Sequence, residues 1–516
     1  MELLQVLLFL LLCAMGLGWL ARRSAVPYPI VLVVGGGALG LLPELPQLKY
    51  DPQVLLGIVL PPILYQAALL TSWRDFKANI RTIGWLAIGL VIATTLAVGA
   101  VLKFIVPDIP WAAAFAFGAI VSPPDAVAAT AILSHLNMPR RIVTVLEGES
   151  LVNDASGLVL YKFAVAAAVT GAFSLAQASG EFVMVAAGGI VIGVLMGRLF
   201  VILHRQMHDA FTEVLLSLSV PYAAYILAES AHVSGVLAVV TAGLVRGRYS
   251  PEIVSAEMRI LARSMWNVLV FLLNSLIFIL IGIELSAIVG RLAGQTAVQL
   301  AGWSLLVSGA AILVRFAWVY AVAYLGRAIG AGREAATANP RGEAFIVSWC
   351  GMRGIVSLAA ALALPLATDS GAPFPQRDLI IFLTFIVIAV TLVLQGMTLA
   401  PLIRRMKVGS DVSAREEEQL ARDAMGGAAL EAIEREAATV PAATAERIRH
   451  EFTERIALAA PHGSDAASEA LAARRLRLAA IRAERQELIR IWRAGRVSDD
   501  VLHHLEEELD YEEQRL

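Results

Sequence analysis

Residues 118–133 read GAIVSPPDAVAATAIL, and residues 143–162 read VTVLEGESLVNDASGLVLYK. This stretch lies in a very apolar chain, yet it holds Asp125, Glu147, Glu149, Asn153 and Asp154. A carboxylate at the centre of a bilayer helix costs roughly 2.5–3.5 kcal/mol on insertion scales, so such groups mark function. Pro123 and Pro124 lack the N–H groups that would bond the carbonyls of Ala119 and Ile120. The helix is expected to break here and to leave bare carbonyls beside Asp125. Broken helices at membrane depth are tolerated where they line a cavity. Carbonyls and carboxylates are hard oxygen donors, suited to a small hard cation. Ser150 and Asp154, four apart, share a helix face, as do Glu149 and Asn153. Asp154 together with the broken stretch at Asp125 therefore reads as a cation pocket.

The surrounding chain reads as membrane protein. Of 516 residues 58% are hydrophobic, and the mean hydropathy is +0.71, far from an ordinary soluble domain. Apolar runs long enough to span occur at about 3–20, 27–43, 52–71, 82–106, 110–135, 141–170, 181–203, 211–229, 233–246, 266–290, 298–326, 342–366 and 379–403. Basic residues gather in alternate loops: Arg22, Arg23, Arg74, Lys77, Arg81, Arg140, Arg141, Arg205, Arg246 and Arg248 belong to one set, as do Arg404, Arg405 and Lys407. The other set carries little beyond Lys49, Lys103, Arg291 and Arg377. By the positive-inside rule the C-terminus is inside, and thirteen spans place the N-terminus outside. Met1 to Leu20 has no basic leader and reads as a first transmembrane helix rather than a signal peptide.

Residues 408–516 hold 15 Lys and Arg against 23 Asp and Glu, and the remainder holds 26 against 20. The expected division is a transmembrane domain over 1–407 and a soluble helical cytoplasmic tail over 408–516. In the tail, Ser413-Ala-Arg-Glu416 reads as a capping box. Pro461-His-Gly463 is punctuation, residues 464–493 have helical spacing, and Ser498 reads as a last cap. The tail serves either as a regulatory or dimer-contacting domain or as a solvated appendage. Cys13 and Cys350 suggest neither disulfide nor zinc.

The fifth run is interrupted by Pro123 and Pro124, the twelfth by Gly351-Met-Arg-Gly354. Seven runs separate these positions, which suits two six-helix halves related as inverted repeats, with crossed broken helices at the midplane. Arg353 in the second break needs a partner, and Glu149 is the best candidate for a structural ion pair. Asn274 and Arg315 are intramembrane residues for which structural hydrogen bonding is at least as good a reading as transport. Glu213, Glu229, Glu284 and Glu343 read as interfacial, His232 as a helix-end residue, and Lys162 as a neighbour of a carboxylate or an interface residue.

SPPDAVAA at 122–129, GESLVNDASGLVLY at 148–161 and WCGMRGIVSLAAAL at 349–362 together resemble the monovalent cation:proton antiporter family 1, the sodium/proton exchangers. The likeness covers about residues 1–407. It implies the all-α, inverted-repeat architecture, the Glu149–Arg353 pair, a homodimer in the plasma membrane, and a role in pH and sodium homeostasis. It implies an ion-binding set of Asp154, Asp125, Asn153, Ser150 and Ser122, with Asp154 and Asp125 as carboxylate ligands of Na+. Relatives often carry an acid where this chain has Gln66. Asp154 would bind either a cation or a proton, coupling Na+ (or Li+, or K+) to H+. Asn153 before it leaves one titrating carboxylate, and relatives with Asn-Asp here exchange electroneutrally. The competing reading is a cation channel or a non-transporting sensor that signals through the tail. An enzyme is not indicated: there is no HExxH, nucleophile elbow or nucleotide-binding loop. Neither a cofactor nor a nucleic-acid partner is expected.

Overall fold

The computed structural model describes residues 2–23, 28–41, 52–125, 129–130, 133, 136, 138–171, 175–207, 209–254, 256–292, 295–328, 340–406, 412–459, 464–494, 496, 505 and 508–513. Apart from one isolated bridge between Ala367 and Pro373, their regular structure is helical. The chain divides into two compact units, Met1–Ser410 and Asp411–Leu516.

In chain order the first unit contains α1 (Glu2–Arg23), α2 (Tyr28–Gly40), α3 (Pro52–Leu70), α4 (Trp73–Ala78), α5 (Ile80–Ile105) and α6 (Trp111–Val121). There follow α7 (Arg140–Thr170), α8 (Leu175–His204), α9 (Ala210–Ser230), α10 (Gly235–Ile253), α11 (Ala256–Arg291) and α12 (Ala297–Ala328). The last three are α13 (Pro340–Trp349), α14 (Ile355–Leu362) and α15 (Arg377–Met406). Each of the thirteen apolar runs holds helix, and among the described residues seven helices are long and apolar enough, by length and composition, to cross a membrane. Leu70, Phe104, Phe211, Val298 and Leu305 are widely exposed. Patches of this kind are a liability in water and the expected surface in hydrocarbon.

Both expected interruptions are present. Helix α6 stops at Val121, just before Pro123, and α13 and α14 are separated by Cys350–Gly354. The carbonyl of Ala119 is not bare, however: the Ser122 hydroxyl donates to it at 2.9 Å. Two further irregularities had no sequence signal. Trp85–Leu90 in α5 and Thr391–Gln395 in α15 are π-helical turns, a feature common near functional sites.

Helix α2 packs on α11, α8 on α10, α3 on α10, and α6 on both α5 and α7. Two apolar cores result. One joins α1, α2, α5, α6 and α11 to α15, and Ile142 and Leu146 of α7 belong to it. The other joins α3, α8, α9 and α10, and takes Leu151 and Ala155 of the same α7. Helix α7 thus lies between the two cores.

The second unit contains α16 (Val412–Glu436), α17 (Ala442–Ala459) and α18 (Ser464–Arg493), the last over the span expected from helical spacing. Arg485 bonds Asp510 at 2.7 Å and Glu513 at 3.1 Å, exposed pairs of small energetic weight. Ser413 falls inside the first turn of α16; Pro461–Gly463 and Ser498 lie outside the described residues.

Arg377 closes the far end of the second interrupted segment. Its Nε donates to the carbonyl of Leu364 at 3.0 Å and its Nη2 to that of Leu362 at 2.9 Å, satisfying carbonyls that α14 leaves unbonded at its C-terminus. Arg377→Ala should therefore lower stability by about 1.5–3 kcal/mol. The readout is the thermal midpoint of the detergent-solubilised protein, and an unchanged midpoint contradicts this capping role.

Candidate ion-binding site

Helix α7 carries the central side chains. Glu149, Asn153 and Asp154 are all buried. The amide of Asn153 donates to the carbonyl of Pro124 at 3.1 Å, so α7 answers directly a carbonyl at the first break. Its Oδ1 has no hydrogen-bond partner among the described residues. The Ser156 hydroxyl bonds the carbonyl of Ala87, in the π turn of α5, and stays 3.0 Å from the carbonyl of Asn153. Asp154 is 7% exposed, and its carboxylate accepts no hydrogen bond among the described residues.

The two breaks meet. The backbone N–H of Asp125 donates to the carbonyl of Met352 at 2.7 Å. The Asp125 carboxylate lies against Gly354, the N-cap of α14, so closely that a Cβ at Gly354 would overlap its Oδ2. A carboxylate at a helix N-terminus is favoured by the helix dipole. Asp125 and Asp154 act on each other electrostatically. In the second break, the N–H of Arg353 donates to the Thr391 hydroxyl at 3.1 Å, at the π turn of α15.

The ion pair differs from expectation. Glu149 is paired with Arg315 of α12, not with Arg353. Arg315 Nη2 reaches Glu149 Oε2 at 2.9 Å while Nη1 bonds Oε1. The same guanidinium donates from Nε and Nη2 to the carbonyl of Val347, at 3.1 and 3.0 Å. Arg315 thereby serves a carboxylate and the C-terminal end of α13 together, which a planar five-donor fork does well. Gly351 makes room for it: a Cβ there would lie 2.5 Å from Arg315 Cδ. Arg353 is buried, and its Nε and Nη1 have no hydrogen-bond partner among the described residues. Sequence reasoning placed Arg315 inside the membrane but gave it no partner, because residues 166 apart carry no local pairing signal.

The other candidates separate clearly. Ser122 is buried at the first break with its hydroxyl committed to Ala119. Ser150 is half-buried on α7, one turn before Asp154. Lys162 pairs with Glu229 at 3.2 Å on exposed surface. Gln66 bonds Asn267 at 3.2 Å, and Asn274 bonds the Tyr28 hydroxyl at 3.4 Å. His232 occupies the turn after α9 with a φ of 56°. Glu213, in the first turn of α9, is buried and lies 3.2 Å from the buried His204. Arg246, counted with the loop residues, is also buried, because α10 runs on to Ile253 past the end of the apolar run.

At and beside the first break lie four kinds of oxygen donor: the buried Asp154, the Asp125 carboxylate that acts on it, the unpartnered Oδ1 of Asn153 and the Ser122 hydroxyl. Such a set fits a small hard monovalent cation as cargo. Discontinuous helices that meet near a buried carboxylate are a design of secondary transporters. The chain belongs to the sodium/hydrogen exchanger family: residues 7–405 match the family model described as sodium/hydrogen exchanger, transmembrane. It is 36% identical over 509 residues to an uncharacterised Na(+)/H(+) exchanger of Mycobacterium tuberculosis, covering 96% of this chain and 93% of the relative. It is 35% identical over 394 residues to a sodium, potassium, lithium and rubidium/H(+) antiporter of Bacillus pumilus, covering 74% of this chain and 58% of that one. Its fold is similar to that of the sodium proton antiporter MjNhaP1 of Methanocaldococcus jannaschii, with a TM-score of 0.64 and 20% identity over 79% of this chain and 99% of that chain.

Breaking the buried pair strands a charge. Glu149→Ala or Arg315→Ala should each cost about 3–5 kcal/mol, and Arg315→Lys should recover little, since an ammonium cannot bond Glu149 twice and Val347 as well. Unfolding in denaturant measures this. If Arg353→Ala rather than Arg315→Ala reproduces the loss from Glu149→Ala, and the two are not additive, the assigned partner is wrong. Gly354→Ala tests the crossing separately: it should displace Asp125 and abolish cation binding while leaving the helix content by circular dichroism unchanged.

Proposed function

We propose that the protein is a secondary active antiporter that exchanges Na+, and also Li+ or K+, for H+ by competition of cation and proton at Asp154. The observation that carries this reading is the Asp154 carboxylate, buried and accepting no hydrogen bond among the described residues, facing the charge of Asp125. A buried charge left without a partner is expensive unless an ion binds it. Asp125 is engaged at the N-terminus of α14, and Asp154 is the exchangeable group. With one proton out for one cation in, exchange is electroneutral.

The charges around the two breaks support this stoichiometry. Glu149, Asp125, Asp154, Arg315 and Arg353 are charged residues of the two breaks and of α7 and α12 beside them, and their formal sum of −1 is brought to zero by one monovalent cation or one proton. In this reading residues 1–407 form thirteen spans in two inverted six-helix repeats and work as a homodimer in the plasma membrane. The N-terminus is outside, and residues 408–516 are a cytoplasmic tail. The cell uses such exchange for pH and sodium homeostasis.

Proteoliposomes carrying a pH-sensitive dye test the proposal. Addition of Na+ should drive proton movement in wild-type vesicles, and Asp154→Asn or Asp154→Ala should abolish it with folding intact. Wild-type flux from either variant sinks the assignment. The apparent KM for Na+ should rise as pH falls, because protons occupy Asp154, while the maximal rate changes little. A maximal rate that collapses at low pH under saturating Na+ contradicts simple competition.

A further inference from the structure

A second cavity, of about 810 Å3, lies where α3 ends, α4 follows and α10 approaches its end. Leu69, Leu70, Trp73, Arg74, Lys77 and Arg248 contribute to its wall. Every charged side chain on that wall is a cation; Asp75, on the same short helix, is not part of it. Arg74, Lys77 and Arg248 are exposed, and none makes an ion pair or hydrogen bond among the described residues. Arg248 has only a loose contact over the Tyr249 ring, at 5.8 Å. Three like charges around one cavity repel each other until an anion enters.

The apolar neighbours narrow the anion. Leu70 lines the cavity and is 73% exposed, Ile80 at the start of α5 is 51% exposed, and Trp73 lies between them in sequence. Trp is favoured at membrane interfaces, where its ring is half in hydrocarbon. A ligand that satisfies both the cations and this apolar rim carries a phosphate on an acyl-chain body. Arginine forks match phosphate oxygens in pairs, and lysine adds a point charge. Basic cavities between membrane helices take anionic lipid headgroups for the same reason.

We propose that this cavity binds the headgroup phosphate of an anionic phospholipid, with Arg74, Lys77 and Arg248 as its contacts. The bound lipid lies against α4, the link from α3 to α5. Helix α5 in turn supplies the carbonyl of Ala87 that Ser156 bonds, two residues from Asp154. The proposal stands apart from the exchange reaction, since it uses none of the ion-site residues.

Native mass spectrometry of the detergent-solubilised full chain provides the test. Dioleoylphosphatidylglycerol, dioleoylphosphatidylcholine and inorganic phosphate are added in separate arms. The wild type should retain phosphatidylglycerol at least about fivefold over phosphatidylcholine. Arg74→Gln/Lys77→Gln/Arg248→Gln should fall to the phosphatidylcholine level, and Arg248→Gln alone, on α10 rather than α4, should show an intermediate loss. Asp154→Asn should retain the lipid as wild type does, which separates this site from the ion site. Equal retention of the two lipids overturns the proposal, as does undiminished phosphatidylglycerol binding by both the triple and the single variant. Displacement of the lipid by millimolar inorganic phosphate also overturns it and assigns the cavity to a soluble anion.

Discussion

The hydrogen bond from the Asp125 N–H to the carbonyl of Met352 joins two helices at the points where each is interrupted. An unmade backbone bond in a dry interior costs on the order of 1–3 kcal/mol, so two facing breaks are stable only if their loose groups are answered. Here each answer comes from a different element. Ser122 takes the carbonyl of Ala119, Asn153 that of Pro124, Arg315 that of Val347, and Thr391 the N–H of Arg353. The crossing is therefore a backbone structure closed by side chains, and it fixes Asp125 against α14.

The Glu149–Arg315 pair sets the second constraint. A buried ion pair adds little net stability against an apolar alternative, but it is directional. Two guanidinium nitrogens on one carboxylate hold α7 in rotation against α12 and α13. Asn153 is four residues after Glu149, on the same face, so the pair that orients Glu149 also turns Asn153 toward Pro124. Asp154 follows in the chain. In the proposed cycle, rigid pairing at 149 leaves the carboxylate at 154 to the exchanged ion.

Much of this was legible in the sequence. The prolines at 123–124 and the glycines at 351 and 354 announced both breaks, since missing N–H groups and missing side chains act locally. The apolar runs announced the helices, and the carboxylates among them marked the candidate site. What failed was pairing at a distance. The motifs point to Arg353 as the partner of Glu149, yet Arg315, in an unremarkable run, reaches the carboxylate through the room left at Gly351. The π turns, the burial of Arg246 and the approach of His204 to Glu213 likewise depend on tertiary packing. The helix of residues 464–493 was legible by its spacing; its bonds from Arg485 to Asp510 and Glu513 were not.

The five charges around the breaks have one more consequence for the proposed cycle. A loaded carrier, with cation or proton on Asp154, is neutral there, and the membrane potential does no work on its reorientation. An empty carrier bears one uncompensated negative charge, on which the field acts at about 2.3 kcal/mol per 100 mV and which hydrocarbon also disfavours. Empty return is thus the slow step that the arrangement suppresses. Slippage, the dissipation of one gradient without building the other, is held down in this cycle by the residual charge of the empty Asp154 carboxylate.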